Sequence, residues 1–166
     1  MSYICKIANL KEMNKKWDYE IEHAEENEKS NWIIWKKKAI KCYKYGAQIP
    51  YYGILDNQII CEATASLCAD IVQNGEDLVD DHTAYLTAFR TIEEYRGQGY
   101  FSKLFKYMVN DLKKRGYTRL TLGVEPEELT NKAIYTKYGF TNFIKTSEEE
   151  YPDGTKITVE YYYKDI

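Results

Sequence analysis

The chain has 166 residues with 23 Lys and Arg against 26 Asp and Glu, a net charge of -3 that argues against a nucleic-acid partner held by phosphate neutralisation and leans towards a cationic substrate. Its two histidines, His23 and His82, stand outside any metal-ligand spacing, and no two of its four cysteines form a Cys-x-x-Cys pair; no metal site is expected, and reduced thiols are. The length suits one domain over residues 1–166, and with no leader-like apolar run and no stretch near the ~18 apolar residues of a spanning helix, no membrane partner and a cytoplasmic location are expected.

Ser2 to Ala8 alternates weakly and is expected to be a first strand. From Leu10, Met13, Trp17, Ile21 and Ala24 fall on one helix face, with Glu20, Glu22, Glu25, Glu26 and Glu28 around the other. Ser30 and Asn31 can cap a second helix, in which Trp32, Trp35, Ala39 and Tyr43 are spaced for burial beside a lysine run. Tyr51–Leu55 and Gln58–Ser66 read as a hairpin across Asp56-Asn57, with Pro50 at a strand beginning. Asp70 to Asp81 reads as a polar loop, and His82 to Ile92 as a central strand. Phe101, Leu104, Phe105, Met108, Val109 and Leu112 then mark one face of an amphipathic helix, closed by Lys113, Lys114, Arg115 and Gly116.

Tyr117 to Val124 alternates as a strand, and Thr130 or Asn131 is expected to cap a short helix from Lys132 to Tyr138 that Gly139 stops. Phe140–Lys145 and Thr155–Tyr163 read as a last hairpin across Pro152-Asp153-Gly154. Elements in this order define an α/β (α+β) fold: a mixed, mostly antiparallel central sheet of about six to seven strands with helices on both faces.

The chemistry is concentrated between the central strand and the amphipathic helix. Gly97 and Gly99 let successive amides turn into one concavity, the first free N–H groups of the helix add to it, and Arg96 supplies a positive charge beside this anion cradle. No Gly-Lys-Ser/Thr follows, which excludes a Walker A loop; Ser102 stands where a dinucleotide fingerprint needs its third glycine.

Arg96-Gly97-Gln98-Gly99-Tyr100-Phe101, followed by Asn131 and by Tyr135-Thr136-Lys137-Tyr138-Gly139-Phe140, resembles the two motifs of the GCN5-related N-acetyltransferase (GNAT) superfamily, in the same order and on the same elements. Phe101 departs from the Gly or Ala usual there, and Asn131 lies closer to Tyr135 than in the commoner pattern. The resemblance implies an acetyl-CoA-dependent N-acetyltransferase acting on a small-molecule or peptide amine in a ternary complex, with acetyl-CoA as co-substrate and no metal. Carried over by position, Arg96, Gly97, Gln98, Gly99, Tyr100, Phe101 and Ser102 would hold the pyrophosphate, and amides near Thr91 and Ile92 with Asn131 the pantetheine arm. Tyr135 would protonate the departing thiolate. Glu125, ending its strand at the cleft, ranks first as general base, ahead of Glu93, Glu62 and His82. A non-catalytic acyl-CoA-binding or regulatory module and a transferase of longer acyl groups are the alternatives. The tyrosine-rich final strand offers a surface for a homodimer.

Overall fold

The computed structural model describes residues 2–166. Seven strands form one sheet: β1 (Tyr3–Ile7), β2 (Gln48–Leu55), β3 (Gln58–Ser66), β4 (Thr83–Thr91), β5 (Arg119–Val124), β6 (Asn142–Glu150) and β7 (Lys156–Asp165). Their spatial order is β1-β2-β3-β4-β5-β7-β6, antiparallel throughout except for the parallel pair β4 and β5. Four α-helices complete the fold: α1 (Leu10–His23), α2 (Lys29–Lys44), α3 (Tyr100–Lys114) and α4 (Leu129–Lys137).

The strand alternation assigns each helix pair to a face. Tyr51, Leu86, Leu120 and Leu122 point into a cluster with Leu104, Met108 and Leu112 of α3, and Tyr135 of α4 and Tyr138, which caps that helix, pack against its edge. Tyr52, one residue on from Tyr51, faces the other way into a cluster with Met13 of α1 and with Ala39 and Tyr43 of α2. Each fully buried Leu or Met of α3 contributes roughly 1.5–3 kcal/mol by leaving water, so this helix anchors its side of the sheet. Further along the α1/α2 face, Leu78, Val79, Tyr85, Val159 and Tyr161 form a third cluster.

Several boundaries move from those the sequence suggests. Helix α2 begins at Lys29 after Glu28, with no side-chain cap; Asn31 lies inside it, buried, donating to Asp153 at 3.0 Å and accepting from that residue's amide. Likewise α4 begins at Leu129 after Glu128, so neither Thr130 nor Asn131 is its cap. Strand β6 runs on to Glu150 because every residue from Lys145 onward has a partner on β7, and that pairing overrides the poor strand propensity of its three glutamates. The 70–81 connector holds two short 3₁₀ turns, Ala69–Ile71 and Gly75–Asp77.

Two features of β4 position the site. The parallel pairing with β5 covers only Thr83–Tyr85 against Arg119–Thr121, after which the two strands diverge to their C-terminal ends. On the other edge, Glu62 pairs with Arg90 and Thr64 with Thr87, so Ala88 and Phe89 together oppose the single residue Ala63. This bulge places Ala88 at φ 58°, a left-handed conformation that costs a side-chain-bearing residue ~1 kcal/mol or more.

Candidate active site

The anion cradle is built by the chain leaving β4. A short 3₁₀ turn, Glu93–Tyr95, leads into Arg96, and Gly97 and Gly99 take φ 73° and φ 86°. A Cβ at either glycine would meet nothing within 4 Å, so the loop is an open concavity that ends at the N-terminus of the 15-residue helix α3. Arg96 is exposed and anchors itself by donating from Nε to the Thr91 carbonyl at 3.0 Å, while Gln98 donates to the Glu94 carbonyl at 2.9 Å. Tyr100 is fixed from beneath: its carbonyl accepts from the Tyr3 hydroxyl at 2.7 Å, and the two rings lie 4.8 Å apart. The bulky Phe101 does not fill the cradle. Its ring packs between Phe89 at 5.1 Å and Tyr138 at 5.8 Å, on the inner side of α3. Ser102 shares a 2.8 Å hydrogen bond with the Tyr138 hydroxyl and so ties α3 to α4.

From the cradle, the gap between β4 and β5 leads inward past Phe89 to Tyr135, whose rings meet edge to face at 5.6 Å. The small cavity there, about 150 Å³, is lined by β4 from Tyr85 to Phe89, by Leu122 and Gly123 of β5, and by Tyr135. Burial, followed by the carboxylate of Glu128, raises the Tyr135 hydroxyl above its ordinary pKa, so it stays protonated at neutral pH and can donate. Thr91 and Ile92 part company here. The Ile92 amide donates to the Ile60 carbonyl at 2.9 Å, which removes it from the set of donors the sequence suggests for the pantetheine arm. Antiparallel alternation then turns the polar groups of Thr91 away from β3, towards the gap. Asn131 donates to Glu128 at 2.7 Å and lies in the first turn of α4.

On the α1/α2 face, the gap meets a larger cavity of about 430 Å³. Tyr85, Thr87 and Ala88 line both spaces. One wall is ionic: buried Glu62 holds Lys16 through Oε2 at 2.8 Å and Arg90 through Oε1 at 3.1 Å, and the Arg90 guanidinium lies 4.5 Å over the ring of Trp32. Burial lowers the Lys16 pKa, and the Glu62 carboxylate counteracts that. The second-helix tryptophans divide, with Trp35 lining the cavity and Trp32 packed between Trp17 and Trp35 at 6.0 and 5.4 Å. Tyr43 belongs to the cluster beneath α2.

The candidate bases separate by position. Both oxygens of Glu62 are engaged by cations. His82 lies at the start of β4, 3.3 Å from the Gly116 carbonyl and at the far end of the strand from the gap, and Glu93 is exposed on the turn before the cradle. Glu125 directly follows β5, and its pKa is raised, first by burial and then by the adjacent Glu128 carboxyl. Two elements of this site escape sequence reading: the Ala88 bulge, which no glycine announces, and Glu149, which strand β6 carries to the cavity wall.

The fold thus brings together a glycine turn at a helix N-terminus, a diverging parallel strand pair, a protonated tyrosine beside the gap and a cavity on the other face of the sheet. The sequence profile of the Acetyltransferase (GNAT) family matches residues 11–140, and the chain belongs to that family. Solved structures agree on the fold. The ribosomal-protein-S18-alanine N-acetyltransferase from Escherichia coli superposes with a TM-score of 0.71 at 17% identity, over 99% of this chain and 94% of that one. A GNAT-family acetyltransferase from Streptococcus pneumoniae gives 0.69 at 16% identity, over 99% and 100%. A GNAT-family acetyltransferase from Elizabethkingia anophelis with acetyl-CoA bound gives 0.56 at 18% identity, over 78% and 83%. No curated protein sequence matches the chain. The protein is thus an acetyltransferase whose co-substrate is acetyl-CoA. Among the described residues, no group of acidic, cysteine or histidine side chains could hold a metal ion, and no helix is long and apolar enough to cross a membrane.

Proposed function

We propose that the protein moves the acetyl group of acetyl-CoA to the nitrogen of a small-molecule or peptide amine by direct attack in a ternary complex. The observation that supports this reading is that Tyr85, Thr87 and Ala88 line both cavities, so that a donor from the α3/α4 side would meet an acceptor from the α1/α2 side there. The pyrophosphate sits on Arg96, the amides of Gly97, Gln98 and Gly99, and the first-turn amides of Tyr100, Phe101 and Ser102. The pantetheine arm runs along Thr91, with Asn131 across the gap.

An alkylammonium with a pKa near 10.4 needs roughly 4 kcal/mol to lose its proton at neutral pH. Glu125 takes that proton through water, aided by its raised pKa. The nitrogen lone pair attacks the thioester carbonyl, the C–N bond forms and the C–S bond breaks. The thiolate receives its proton from the Tyr135 hydroxyl, the surplus proton on the acylated nitrogen passes through water to the tyrosinate, and Glu125 gives the proton it took to solvent. One preorganised amide on the acetyl oxygen is worth roughly 3 kcal/mol. The four cysteines are free thiols, which suits a reducing, cytoplasmic setting.

Tyr135→Phe tests this directly. Turnover falls about 10²-fold while acetyl-CoA affinity barely changes, because the ring and its packing on Phe89 survive. Unchanged turnover would remove Tyr135 from the reaction.

A further inference from the structure

The 430 Å³ cavity holds more polar capacity than the protein uses. Tyr52 is 1% exposed and Tyr85 7% exposed, and both line it. Neither hydroxyl has a hydrogen-bond partner among the described residues, yet neither is a sealed unsatisfied atom, so both open onto the cavity. A buried hydroxyl without a partner is costly, and such groups are normally satisfied by water or a ligand. Tyr85 is the better placed. Its oxygen lies 3.0 Å from where a Cβ of Gly123 would stand, so the glycine in β5 is what lets that hydroxyl reach the rim of the gap. Tyr135 lies on the same small cavity.

The cavity's charges do not balance uniformly. Lys16 and Arg90 are neutralised by Glu62, with Glu20 a further 4.0 Å from Arg90. Elsewhere on the wall Glu149 receives one neutral hydrogen bond, from the Tyr161 hydroxyl at 2.6 Å, and has no cation among the described residues within ion-pair distance; Lys38 of α2, which also lines the cavity, acts on it from further away. Burial raises the Glu149 pKa, and the Tyr161 hydrogen bond and the more distant Lys38 charge offset it only in part. Next to it stand Trp35 and Tyr151, edge to face at 5.2 Å, which present aromatic surface to anything entering. Aromatic faces beside a carboxylate favour an organic cation.

We propose that this cavity is the acceptor site and that it takes a small primary amine with an apolar or aromatic body. Glu149 balances the ammonium charge as it enters, and the Tyr85 hydroxyl accepts an N–H of the amine and orients its nitrogen towards the gap between β4 and β5. The proposal rests on the acetyltransferase reading above. It names an acceptor class and two residues that neither the family match nor the structural neighbours assign. A cavity of this size lies within the usual ~300–1,000 Å³ range of small-molecule sites and accommodates a molecule of this kind.

The test uses the full chain with acetyl-CoA and three acceptors: phenethylamine, L-aspartate and a hexapeptide beginning with alanine. CoA release and the quenching of tryptophan fluorescence by acceptor alone are both read. Phenethylamine is expected to give at least tenfold higher kcat/KM than either alternative and a saturable fluorescence change from Trp35 beside the site. Glu149→Gln raises the KM for phenethylamine about tenfold and weakens the fluorescence titration equally, leaving the KM for acetyl-CoA unchanged. Tyr85→Phe lowers kcat about tenfold without that change in KM. Preference for the hexapeptide or aspartate, or a Glu149→Gln titration identical to wild type, overturns the acceptor proposal while acetyl-CoA turnover stands. Failure of acetyl-CoA to bind the wild-type chain would instead overturn the donor reading, and this proposal with it.

Discussion

Glu125 carries the most specific pH signature in the molecule. A carboxyl serves as base only when ionised, so activity must climb as pH rises through its folded-state pKa. Burial and the neighbouring Glu128 carboxyl move that limb above the ordinary carboxylate range. In Glu125→Gln this limb should disappear from the profile of kcat against pH, leaving only the rise due to the amine's own deprotonation, and kcat should fall ten- to a hundredfold. An unchanged acid limb would transfer the role to another group. At this scale the sequence is informative where a motif constrains the backbone: Arg96 and the two positive-φ glycines lie where their spacing says. It is silent where tertiary structure imposes the conformation. Ala88 shows no sequence mark of its φ of 58°, and the loss of the Ile92 amide to Ile60 depends on a register that no local pattern reveals.

Among the elements that flank the gap, β5 is tightly constrained. Gly123 faces Val159 Cγ1, Tyr161 Cε1 and the Tyr85 hydroxyl, which would stand 2.6, 3.0 and 3.0 Å from an added Cβ. Gly123→Ala should therefore cost about 1–3 kcal/mol by overpacking, lower the Tm by several degrees and reduce kcat as Tyr85 is pushed off the gap. Wild-type Tm and kcat in that variant would show that β5 has slack there. Helix α3 was the most legible element, because four of its apolar positions, Leu104, Phe105, Met108 and Leu112, are buried at the spacing the sequence displays. Helices α2 and α4 start two to three residues earlier than their sequences suggest, and two of the expected caps have other partners: Asn31 turns to Asp153 and Asn131 to Glu128. The length of β6 was hidden for another reason: its strand state is set by pairing with β7, not by its own residues.

For the whole molecule, the sheet is a partition with a slot in it. Its α3/α4 face carries the glycine turn and Tyr135, its α1/α2 face carries the 430 Å³ cavity, and both reach Tyr85, Thr87 and Ala88 where β4 diverges from β5. The seven-stranded, mostly antiparallel architecture follows from the order of strands and helices that the sequence displays, and the cradle follows from its glycines. The 430 Å³ cavity does not, because its walls come from α1, α2, β2, β3, β4 and β6, elements that meet only in the folded chain. The central claim is that the cradle and slot together hold acetyl-CoA. Thermal unfolding in parallel with acetyl-CoA, CoA, ATP and NAD tests it most directly. At ~100 times its dissociation constant, acetyl-CoA should add ~2.7 kcal/mol and raise the Tm by several degrees, CoA should do nearly as well, and ATP and NAD should leave the Tm unchanged. Equal shifts with all four, or none with acetyl-CoA, would contradict the account.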